Sequence, residues 1–95
     1  MSFLVILRPV REEMPFAPTG AESRVVAAHY DYLVSLRDEG KLVVAGPSIV
    51  EGDTIGIGVL DVESRTEAEA IVAADPAITG GVMTAEVRPM RIAVR

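Results

Sequence analysis

The stretch AESRVVAAHYDYLVSLRDEGKLVVAGP, Ala21 to Pro47, changes its hydrophobic period partway along, and that change decides the fold. From about Ala21 to Glu39 the apolar stripe has a 3.6-residue period. Val25, His29, Leu33 and Leu36 stand at i, i+4, i+8 and i+11, and Val26 and Tyr30 widen the stripe. Arg24, Asp31, Arg37 and Asp38 lie largely off it, as a solvent-facing side requires. Gly40 suits the left-handed position just past a helix C-terminus. Lys41 to Gly46, KLVVAG, then reads as an apolar strand stopped by Gly46-Pro47.

The same alternation continues on both sides of this stretch. Upstream, FLVIL (Phe3 to Leu7) is a continuous, partly β-branched apolar run ended by Arg8-Pro9, the pattern of a strand buried on both faces. PVREEMPFAPTG follows, a long loop with three prolines and a glycine; loops near this length are usually functional or mobile. Downstream, Glu51-Gly52-Asp53 offers a hairpin connection. TIGIGVLDV, Thr54 to Val62, alternates strictly, with Ile55, Ile57 and Val59 on one face and Gly56, Gly58 and Leu60 on the other. Glycine weakens a strand, so two at one parity predict close approach of a helix or a ligand. SRTEAEAIVAAD opens with the capping-box pattern Ser64-x-x-Glu67 and closes at Asp75-Pro76, because the residue before proline resists the α region. AITGG reads as a turn or short helical piece, and MTAEVRPMRIAVR as the last strand.

The predicted order is β-α-β-β-α-β over residues 1–95, one ferredoxin-like α+β domain with two helices on one face of a four-stranded antiparallel sheet. FLVIL and KLVVA are apolar at both parities, so the helix-free face is hydrophobic too. A monomer would expose a patch above the few hundred Å² usually tolerated. A homodimer formed by packing two helix-free faces together is therefore expected.

Composition narrows the function. The 95 residues are 49% hydrophobic and carry a formal charge of −5. The acidic balance, scattered basic residues and few aromatics argue against nucleic acid as a partner. No run approaches a membrane span, and the N-terminus lacks a signal peptide's charged start and small-residue cleavage site. Cysteine is absent, which rules out disulfides, thiolate nucleophiles and zinc–thiolate sites and makes the cytoplasm the default location. No phosphate-binding glycine loop is present. A metal site would depend on carboxylates such as Glu12 and Glu13, so no metal or cofactor is expected.

His29 is the one histidine. It is either a satisfied core residue or a general acid/base, a role its ordinary pKa suits at neutral pH. A base needs an orienting partner. Asp75 stands out because a carboxylate at the C-terminal end of the second helix opposes the helix dipole, although Asp-Pro also serves as a plain helix stop. Gly46 and Pro47 end the second strand where a ligand could approach backbone, and Ser48 after them is the one serine plausibly placed for a triad. Arg8, sharing a face with Leu4 and Ile6, could clamp an anionic substrate group or simply be solvated. Arg88, Arg91 and Arg95 fit an edge-guarding or partner-contacting role.

His29 followed by YDYLVSLRDEGKLVVAGP, then Asp75-Pro76 and a closing VRP, resembles the YciI-like (YCII-related) family, and the likeness runs from LRPVR to the C-terminus. The resemblance implies a dimeric α+β barrel and matches His29 and Asp75 to the family's His–Asp active-site pair. It also implies cofactor-free isomerase- or lyase-type chemistry on a small cyclic or aromatic metabolite. The alternatives are a non-catalytic module that binds a small ligand and a structural dimer. The loop before the first helix is longer than in the shortest family members, which affects entry to any pocket.

Overall fold

In the computed structural model, which describes residues 1–95, the elements run β1 (Ser2–Pro9), α1 (Gly20–Asp38), β2 (Leu42–Ser48), β3 (Ile55–Asp61), α2 (Arg65–Ala73), α3 (Pro76–Thr79) and β4 (Met83–Met90). This is the ferredoxin-like order with the short α3 added, the piece that AITGG left open. The sheet has four strands in the order β2-β3-β1-β4, all antiparallel. β1 therefore lies in the interior and β2 at an edge. The last strand ends at Met90 rather than running to Arg95, whose guanidinium folds back to Asp61 at 3.0 Å.

Cross-strand partners share a face, so the register assigns every side chain. Phe3, Val5 and Leu7 pair with Leu60, Gly58 and Gly56. They face the helices and form the core with Leu36, Leu42 and Ala68. Leu4, Ile6 and Arg8 face the other way, beside Val59, Ile57, Glu86 and Arg88. The double apolar parity of KLVVA has a structural cause. A register irregularity between Leu42 and Val44 drops Val43 from the ladder. Leu42 stays in the core, while Val44 moves opposite Val59 to the helix-free side and is 60% exposed.

Thr19 and Glu22 start α1 with a complete capping box: the Thr19 hydroxyl accepts from the Glu22 N–H, and the Glu22 carboxylate accepts from the Thr19 N–H. At α2 only half of the expected box forms, Ser64 Oγ accepting from the Glu67 N–H. Arg11 ties the preceding loop to the α1 capping box. Its guanidinium donates to both carboxylate oxygens of Glu22, at 3.1 and 2.6 Å, and to Ala17 O at 2.7 Å. That charge-assisted fork holds the Glu22 carboxyl down at about 2. The loop also buries Met14 to 3% exposure, so Arg11 and Met14 anchor it to the body of the protein while most of its other residues stay exposed.

Candidate functional site

α1 crosses the helix-facing side of the sheet, leaving a cavity of about 800 Å³ between itself and β2 and β3. Val5, Leu7, Leu33, Leu42 and Leu60 supply apolar wall, and Met14 closes one side from the loop. Gly56 and Gly58 also line it. Both are on the helix-facing side of β3, as their shared parity requires, but the expected close approach of a helix is not found, since the nearest atoms come from the neighbouring strands β1 and β2. At Gly56 a Cβ would sit 3.3 Å from Leu7 Cβ, so packing limits that position. At Gly58 an added Cβ would meet only ordinary contacts at 3.7 Å or more, and the missing side chain leaves cavity volume.

Into this cavity α1 brings His29 and the α2–α3 junction brings Asp75, from 46 residues further along the chain. His29 Nδ1 lies 2.7 Å from Asp75 Oδ1 and 2.8 Å from Oδ2. The side chains are 12% and 7% exposed. Against a carboxylate, Nδ1 carries the proton and donates. Nε2 is then the acceptor nitrogen; it has no protein partner and is not sealed from solvent.

The local reading of Asp75 needs correction. α2 ends at Ala73, and Asp75 is instead the N-cap of α3, its Oδ1 accepting from the Ala77 N–H at 2.9 Å with Pro76 opening the helix. The carboxylate thus caps the helix that follows it while standing directly past the C-cap of the one before. It is also the one buried charged side chain, at 5% exposure. Close packing of α3 on α1 brings it to His29. At Gly80, just past α3, a Cβ would fall 2.8 Å from Val25 Cγ1 of α1.

The remaining sequence candidates divide. Gly46 and Pro47 line the cavity, with Pro47 opposite Gly56 on the helix-facing side. Ser48 is paired with Ile55 on the other face and does not line the cavity. Arg8 is also on the helix-free face, where it pairs with Glu86 at 3.1 Å, so within one chain it is not a cavity residue. It shares a face with Leu4 and Ile6, as their parity predicts, and that face is the one without helices. Tyr30 is 67% exposed and stands at the cavity rim rather than in the core. Tyr32, one turn after His29, carries no local sequence signal beyond its place in the family motif. It lines the cavity and donates its hydroxyl to Ile71 O at 2.7 Å. No cluster of three or more His, Asp or Glu side chains is arranged to hold a metal ion. No helix is long and apolar enough to cross a membrane.

The family profile of the YCII-related domain matches residues 1–91. No curated protein matches the chain in sequence. Among solved structures it is similar to 5-chloro-2-hydroxyhydroquinone dehydrochlorinase from Burkholderia phenoliruptrix AC1100, in complex with 2,5-dihydroxybenzoquinone. The identity is 25% and the TM-score 0.67, covering 96% of this chain and 94% of that one.

Proposed function

The chain belongs to the YCII-related domain family, and we propose that it is a cofactor-independent enzyme of isomerase or lyase type acting on a small hydroxylated ring. One observation carries the reading: His29 is fixed through Nδ1 to a buried carboxylate while its other nitrogen is left free beside a largely apolar cavity. In the proposed step, Nε2 takes the proton from a ring hydroxyl and the oxygen's electron pair moves into the ring. Asp75 stabilises the imidazolium, which then returns the proton to a ring carbon. Where that carbon bears chlorine, loss of a second hydroxyl proton expels chloride, so that HCl leaves overall. The hydroxyquinol substrate of the similar dehydrochlorinase supports a ring of this class.

We further propose that the protein works as a homodimer joined through the helix-free face. Leu4, Val44, Ile57 and Val59 would otherwise remain at least partly open to water. A cytoplasmic location rests on the cysteine-free composition alone.

The test uses a panel of hydroxyhydroquinones with and without chlorine, followed by quinone absorbance and chloride release. The His29→Asn variant should lose roughly 10²- to 10⁴-fold in turnover, the usual contribution of a positioned acid/base, and should still bind 2,5-dihydroxybenzoquinone. Undiminished turnover in that variant overturns the assignment. Binding by the wild type without turnover of any panel member would favour the non-catalytic module.

A further inference from the structure

The end of α2 departs from regular helix geometry in a way that bears on Asp75. The Ala74 N–H still bonds Ala70 O at 3.1 Å, the ordinary i−4 partner. The Asp75 N–H bonds Val72 O, three residues back, at 3.1 Å. This tightening turns the chain out of α2 and into α3, and it leaves the carbonyl of Ile71 without the backbone donor that a continuing helix would give it. Tyr32 takes that carbonyl, its hydroxyl donating at 2.7 Å from the neighbouring helix.

We infer that Tyr32 is a positioning residue for the His29–Asp75 pair: by capping Ile71 it fixes the turn from which Asp75 emerges. His29 and Tyr32 are one helical turn apart on α1, so they share a face. One holds the Asp75 side chain and the other holds the backbone four residues before it. α1 thereby sets both the position of the imidazole and the position of its carboxylate. The phenol suits this task because it remains a donor. Burial above all, then the nearby charge of Asp75, raises its pKa above the ordinary tyrosine value. An uncapped Ile71 carbonyl would be free to recover a regular i+4 bond from the Asp75 N–H. That change would rotate Asp75 away from its place as the α3 N-cap and loosen its hold on Nδ1.

The inference rests on the geometry of the pair and not on the proposed reaction, and its test needs no substrate. With one histidine in the chain, ¹⁵N NMR of the imidazole reports the tautomer of His29 without ambiguity. In the wild type the Nδ1–H form should dominate. Tyr32→Phe keeps the ring and removes the hydroxyl, and the ratio of Nδ1–H to Nε2–H should fall severalfold with the protein still folded. Val62→Ala, a core change at the residue after β3 that removes none of the hydrogen bonds of Tyr32, Ile71 or Asp75, provides a variant of comparable destabilisation and should leave the ratio at its wild-type value. An unchanged ratio in Tyr32→Phe overturns the inference, as does an equal fall in Val62→Ala. Failure of the hydroxyhydroquinone panel would count against the proposed reaction and leave this result standing.

Discussion

β1 and β2 are nearly interchangeable as strings, FLVIL against LVVAG, yet they have opposite fates. β1 runs between β3 and β4, and Phe3, Val5, Ile6 and Leu7 are all buried. β2 pairs on one side only, and every residue after Leu42 is exposed. Apolar content therefore does not settle what a strand contributes here; its place in the sheet does. An interior strand is covered by neighbours along both edges and by helices on one face. An edge strand keeps an open flank, and in this protein that flank supplies cavity wall at Ala45 and Pro47 and, at Val44, a residue on the cavity's edge that is also the proposed subunit contact. The first strand supports stability, and the second is left available for function.

Four measurements can break or sharpen that division. The largest effect belongs to β1: Phe3 is 1% exposed, and Phe3→Ala should cost about 3–5 kcal/mol of folding stability, read by urea denaturation. A cost within the range of surface substitutions would show that β1 is not the stabilising strand. Next, Val44→Asp on β2 should convert the dimer to a monomer in light scattering while the circular dichroism of the folded chain is kept. A wild type that is already monomeric at micromolar concentration would overturn the buried-face argument. Third, Gly58→Val on β3 fills the cavity beside β2. It should weaken binding of 2,5-dihydroxybenzoquinone by about tenfold, roughly 1.4 kcal/mol, with a melting temperature equal to or above wild type because valine suits a strand better than glycine. A melting temperature that falls with the affinity would mean that position serves packing instead.

The smallest effect concerns the loop that follows β1. Glu22 is held at about 2, below its ordinary 4.5, chiefly by the hydrogen bonds from Arg11. A depressed carboxylate stabilises the folded state fully above the unfolded value, and that contribution disappears as the pH falls through the folded value. Arg11→Met should therefore separate from wild type in stability above about pH 4.5 and converge with it near pH 2. Parallel curves across that window would show that the clasp does not act through Glu22. The carboxylate of Asp61, lowered mainly by its hydrogen bond from Arg95, changes stability in the same direction.

Much of this was legible in the residues, and the gaps have physical causes. The 3.6-residue stripe through Val25, His29, Leu33 and Leu36 marked α1, and the alternation of TIGIGVLDV marked β3 and placed both glycines on one face. Two local signals were present but unused. Thr19-x-x-Glu22 is a capping box at least as plain as that of Ser64 and Glu67. Asp75-Pro76 marks a helix start, with Asp as N-cap and Pro at the first position, as well as a helix stop. Reading it only as a stop turned a favourable cap into an apparent misfit. Arg8 went astray for another reason. When both faces of a strand are apolar, periodicity cannot say which one the helices cover, so parity with Leu4 and Ile6 assigned it to a face without naming that face. Tyr32 was unreadable as a contact because its partner is a backbone carbonyl 39 residues away.

By itself the sequence determined the kinds of element, their order and the presence of one histidine on a helix face, since these follow from periodicity, capping and turn chemistry within a few residues of chain. Tertiary structure decided which face of β1 the helices cover, that β2 becomes the open edge, and that His29 meets Asp75 at 2.7 Å. Those outcomes depend on strand order and on the packing of α3 against α1. Both join residues far apart in the chain, where no local pattern reaches.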